Sequence, residues 1–124
     1  MKKTREESIA EAKKEEVVEI YEELLKKIWD RIVFTLGAVT MAALLRRVIK
    51  KTVVSFSFIE ELTVSNDGLN FSRLKEKIGI RDKKMIRNGF EELILNFFDL
   101  LAELTGDTIV DKLFKKEMLE EVKK

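Results

Sequence analysis

The sequence predicts a mainly α fold: a compact bundle of four to five helices with one small β-hairpin near residues 62–71. Three observations carry that prediction. The 124 residues contain no Pro, so no helix is forced to break. Two long stretches repeat apolar residues at helical spacing. A single Asp67-Gly68 step stands between two short apolar runs, which is a hairpin-turn signal.

The elements follow in order. Thr4 and Glu7 have capping-box spacing, which starts a helix near Arg5. Residues 1–16 are mostly charged and read as an N-terminal helical extension that projects or frays. From Val17 a wide apolar face appears, made of Val17, Ile20, Tyr21, Leu24, Leu25, Ile28 and Ile32. Gly37 marks a break or a close helix contact, and a second helical stretch carries Met41, Leu44, Leu45, Val48 and Ile49. Residues 52–59 fit either type: alternation from Val54 to Phe58 suits a strand, whereas both flanks are helical. A lone hairpin is marginal in water, so the one near 62–71 must lean on helices or on a partner.

Ser72 is placed to cap a short helix ending at Gly79, a residue suited to the left-handed conformation. Asp82 is placed to cap the next helix, where Ile86, Phe90, Leu93, Phe97, Leu100 and Leu104 alternate spacings of four and three. Ile94, Phe98 and Leu101 widen that seam beyond a coiled-coil stripe, so the helix is central or faces a second chain. Thr105-Gly106-Asp107 reads as stop, turn and new cap. A last helix would carry Ile109, Val110, Leu113, Phe114, Met118 and Val122. With no internal repeat or low-complexity linker, residues 1–124 form a single helical domain.

Composition excludes several classes. Hydrophobic residues at 45% supply enough apolar surface for a packed core, which rules out a disordered chain. The absence of Cys rules out a disulfide scaffold and suits a cytoplasmic location. A high Lys, Glu and Arg load without Gln gives a thermophile-like composition. The first residues are charged with no apolar run behind them, so they do not form a signal peptide. The longest uncharged run, residues 32–45, falls short of the roughly 20 residues a membrane-spanning helix needs.

Catalytic chemistry finds little to work with. Without His and Cys the chain lacks the usual general base, the best nucleophile and the commonest soft metal ligands. The five glycines are dispersed, so no phosphate-cradling loop exists. Asp99, Glu103, Asp107 and Asp111 gather near Gly106 without any ligand loop of the EF-hand type. Phe56, Phe58, Phe71, Phe90, Phe97, Phe98 and Phe114, with Trp29, read as core before they read as a pocket for an apolar ligand. The sequence therefore predicts no enzyme, no cofactor and no metal.

Charge is unevenly spread. Residues 72–88 hold seven basic and two acidic side chains, and residues 89–124 hold five basic and nine acidic ones. Arg46, Arg47, Lys50 and Lys51 form a second basic cluster along one side of a helix. Within Leu74 to Asn88, Leu74, Ile78, Gly79, Ile80 and Met85 occupy apolar and glycine positions of a short helix, a tight turn and a second helix. That segment resembles the helix-turn-helix of DNA-binding regulators. Lys75 and Asn88 depart from it, standing where a small and an apolar residue are expected. The resemblance implies a recognition helix with Arg81, Lys83, Lys84 and Arg87 at its front, where phosphate and base contacts are made.

The expected function is a non-enzymatic interaction or regulatory module. The two widest apolar faces exceed what a small monomer readily hides, which predicts a homodimer with Ile86, Phe90, Leu93 and Phe97 in its interface. The alternative is a small DNA-binding regulator acting through residues 72–88.

Overall fold

The computed structural model describes residues 14–80 and 82–105. The expected cap at Thr4 and Glu7, the first turns, Arg81, the Gly106 stop and the last helix lie outside the described residues. Among the described residues the fold has four α-helices, two short 3-10 helices and one two-stranded antiparallel sheet. We number the α-helices and strands α1 (Lys14–Leu36), α2 (Ala38–Val53), β1 (Thr63–Ser65), β2 (Gly68–Asn70), α3 (Ser72–Lys77) and α4 (Lys83–Thr105).

α1 and α2 form a hairpin joined by Gly37 alone. Its N–H donates to the Val33 carbonyl at 2.8 Å, and its carbonyl accepts from the Met41 N–H at 3.0 Å. One residue thus satisfies the end of one helix and the start of the next. Its φ of 85° lies in the region where a Cβ is penalised, which is why glycine stands there.

The predicted face of α1 is buried: Val17, Tyr21, Leu24, Leu25, Ile28 and Ile32 all lie in the core, with Val18 and Trp29. α2 contributes Met41, Leu44, Leu45 and Val48, as the periodicity indicates. α4 is the central element. Ile86, Phe90, Leu93, Ile94, Phe97, Phe98 and Leu101 are buried along it, and the core forms one cluster with α1, α2 and the intervening segments.

The ambiguous residues 52–59 are not a strand. α2 runs to Val53, Ser55 and Phe56 N–H groups both donate to the Thr52 carbonyl, and a 3-10 helix spans Ser57–Glu61. The alternation is not kept in burial either, since Val54 is exposed, Phe56 partly buried and Phe58 buried. Phe58 sits over Gly89 of α4, where a Cβ would fall on the Phe58 ring and 3.3 Å from the Phe56 Cβ. The bare glycine lets this segment lie directly on the helix. Phe90 is the hub beside it, 5.0 Å from the Tyr21 ring, 5.9 Å from Phe58 and 6.1 Å from Phe71, centroid to centroid.

The hairpin pairs Thr63 with Asn70, Val64 with Leu69 and Ser65 with Gly68. Its turn is Asn66-Asp67, so Gly68 opens β2 rather than closing the turn. The pair leans on α1, with Gly68 lying against the Trp29 ring. At α3 the predicted Ser72 cap is not used. Phe71 holds the N-cap position, and the Ser72 N–H instead donates to Asn70 Oδ1 at 2.9 Å. Gly79 is not left-handed either, because α3 passes into a 3-10 turn at Ile78–Ile80. The Asp82 cap is made: its Oδ1 accepts from the Met85 N–H at 2.7 Å.

Candidate interaction surface

Of the four residues expected at a dimer interface, Ile86, Phe90 and Leu93 are 0% exposed and Phe97 is 2% exposed. The structure corrects that expectation. α1, α2 and residues 57–61 of the same chain cover the α4 seam, so a second copy cannot reach it without opening the core. The wide faces of α1 and α4 hide one another.

The helix-turn-helix resemblance is only partly matched by the geometry. Leu74 and Ile78 are buried as the pattern requires, whereas Met85 is 43% exposed. Lys75, at the position wanted for a small residue, reaches away to Glu22 of α1, Nζ to Oε1 2.6 Å. Arg73 and Lys77 both reach Glu61, at 3.1 and 3.7 Å. Three of the basic side chains in 72–88 are therefore spent within the chain. Of the candidate contact residues, Arg81 lies outside the described residues, Lys83 and Arg87 are half-buried and hold partners of their own, and Lys84 is exposed. Among the described residues no array of free basic side chains is assembled at the front of α4, whose deep burial also differs from a helix presented to a groove.

A cluster of unpaired cations lies on α2. Arg46, Arg47, Lys50 and Lys51 are exposed, and α2 carries no acidic residue. Among the described residues none of the four takes part in an ion pair. Arg46 and Lys50, like Arg47 and Lys51, are like charges four apart, an arrangement that weakly destabilises a helix. Lys50 and Lys51 in the last turn interact favourably with the helix dipole; Arg46 and Arg47 lie further in.

The outward face of α4 is the reverse. Glu92, Asp99 and Glu103 are exposed, and from Gly89 to Thr105 every charged residue is acidic. Glu91 is committed inward, accepting from the Tyr21 hydroxyl at 2.5 Å. Glu92, Asp99 and Glu103 enter no ion pair among the described residues. Sequence reasoning saw the acidic excess of this region but not that it falls on one helix face. The signal was available, because Glu92, Leu95, Asp99 and Glu103 recur at intervals of three and four.

α2 and α4 run antiparallel side by side. A buried polar pair fixes their level: the Thr52 hydroxyl donates to the Val48 carbonyl at 2.8 Å and accepts from Asn96 Nδ2 at 3.0 Å. Above it lies an open cleft of about 210 Å³ lined by Arg47, Val48, Lys51, Asn96, Leu100 and Glu103. A second cleft, about 230 Å³, lies between α1 and the hairpin, lined by Trp29, Phe71, Leu25 and Leu69 with a polar rim. Of the aromatics predicted as core, Phe58 and Phe71 pack on Phe90 and Phe97 on Phe98, Trp29 is buried without a ring partner among the described residues, Phe56 is partly buried, and Phe114 lies outside them.

No group of three acidic residues in metal-binding proximity occurs among the described residues, and Asp107 and Asp111 lie outside them. No described helix is long and apolar enough to cross a membrane. No family model, curated protein or solved structure matches the chain.

Proposed function

We propose that this protein is a non-enzymatic helical interaction module that acts as a homodimer, in the cytoplasm, through helix-on-helix burial. One observation carries the reading. Two adjacent helices expose charges of opposite sign, basic over residues 46–51 of α2 and acidic from Gly89 onward in α4, and none of Arg46, Arg47, Lys50, Lys51, Glu92, Asp99 and Glu103 is paired among the described residues. Exposed apolar side chains accompany them, Val39 and Val54 on the α2 side and Leu95 and Leu104 on α4. Burial of such residues supplies association energy, and complementary charge selects the partner and its register. The absence of His and Cys from the whole chain supports a binding role over a catalytic one. Light scattering behind a sizing column tests the proposal. The expected mass is twice the 14.5 kDa of one chain, and a monomer mass at micromolar concentration overturns it.

The rival reading, a DNA-binding regulator using residues 72–88, draws on the made Asp82 cap and the buried Leu74 and Ile78 that lock the turn. Fluorescence anisotropy with a random-sequence duplex at low salt separates the two. Phosphate attraction is strongest there, and binding that falls steeply with salt would favour the rival.

A further inference from the structure

We propose that the partner of the α2–α4 surface is a second copy of this chain, seated so that each α2 lies over the other copy's α4. The inference rests on the homodimer reading and adds the surface and its geometry.

Charge complementarity singles out this occupant. Arg47 and Lys51 of α2 and Glu103 of α4 line one open cleft, and the exposed Arg46, Lys50, Glu92 and Asp99 continue the two signs along the same two helices. A two-fold axis along that cleft carries α2 of one copy onto α4 of the other, and the reverse, in a self-complementary contact. Rotation about such an axis leaves the height along the helices unchanged. Register is then set by the monomer itself. The Thr52–Asn96 hydrogen bond and the cleft shared by Arg47, Lys51 and Glu103 put the basic stretch level with Asp99 and Glu103. Cations of each copy therefore meet carboxylates of the other at the same height. Each α2 is antiparallel to the α4 it faces, and the four helices form one layered bundle. Exposed Val54 and Leu95 supply apolar contact between the charges. An unrelated polyanion would satisfy α2 but leave Glu92, Asp99 and Glu103 unpaired and opposed to it.

The test is a charge exchange on the full chain. One variant carries Arg46→Glu, Arg47→Glu and Lys50→Glu; a second carries Glu92→Lys, Asp99→Lys and Glu103→Lys. All six positions are exposed, and circular dichroism checks that each variant retains its fold. Each alone brings like charges together in the dimer and should dissociate at least about tenfold more readily than wild type. Mixed in equal amounts they should recover a dimer, because each α2 again meets an α4 of opposite sign. A wild-type dimer unmoved by either variant overturns this surface while leaving the homodimer reading intact. A monomeric wild type removes both. Duplex DNA binding abolished by the α2 variant, with no self-association, assigns the basic face to a polyanion and overturns the proposal. Loss of mass in both variants without recovery on mixing also overturns the reciprocal pairing.

Discussion

The two faces of α4 differ in how their side chains are satisfied. Inward, Ile86, Phe90, Leu93 and Phe97 are fully covered by their own chain. Outward, Glu92, Asp99 and Glu103 have no ion-pair partner among the described residues, and Leu95 is 47% exposed. The inner face is the more apolar, and for that reason it is the wrong place to look for a partner. A small bundle spends its best apolar seam on itself first, since burial is what offsets the conformational entropy of folding. On the proposed function, what remains for recognition is the second-ranked surface, marked by the sign of its charges.

The largest expected effect comes from breaking the inner face. Phe97→Ala should destabilise the fold by about 3–5 kcal/mol in urea unfolding, through lost burial and a residual cavity. Its mass under native conditions should match wild type. A variant that loses mass while keeping its stability would reverse the assignment of the two faces.

Gly89→Ala probes the same face at its tightest point. Alanine is the better helix former by about 1 kcal/mol, so an open site would gain stability. Here the new methyl meets the buried Phe58 ring, and overpacking of this kind costs about 1–3 kcal/mol. We expect a net loss, partly recovered by Phe58→Leu in the same chain. A stabilised Gly89→Ala would show that residues 57–61 do not lie on α4 as described.

Much of this fold was legible in the sequence. Periods of three and four placed the buried faces of α1 and α4, and the Asp82 cap and the hairpin near Gly68 were visible as local chemistry. Residues 52–59 were not legible, because apolar residues at 54, 56 and 58 mimic a strand while the chain there ends a helix, turns and starts a 3-10 helix of period three. The distinction depends on Gly89, far along the chain. The candidate site was read less well. Periodicity reports that Phe90 and Phe97 are covered but not by which chain, and composition counts cations without saying which of them have met a carboxylate.

That last point separates the two basic regions, and the smallest prediction sharpens it. Lys75 pairs with Glu22, and Arg73 and Lys77 share Glu61, whereas Arg46, Arg47, Lys50 and Lys51 pair with nothing among the described residues. Lys75 and Glu22 are exposed enough, at 43% and 37%, for solvent to screen most of their attraction. Lys75→Ala should therefore cost only about 0.2–1 kcal/mol, and less as salt is raised. Lys50→Ala should leave monomer stability within about 0.5 kcal/mol, since its charge meets only the helix dipole and no carboxylate among the described residues. In the proposed dimer its effect falls on self-association, where a cation would be removed opposite a carboxylate. Equal destabilisation by Lys50→Ala and Lys75→Ala, measured at a concentration where the chain is monomeric, would mean that the α2 cations also have partners within the fold. The contrast between a charge already paired at home and one held for a partner would then disappear.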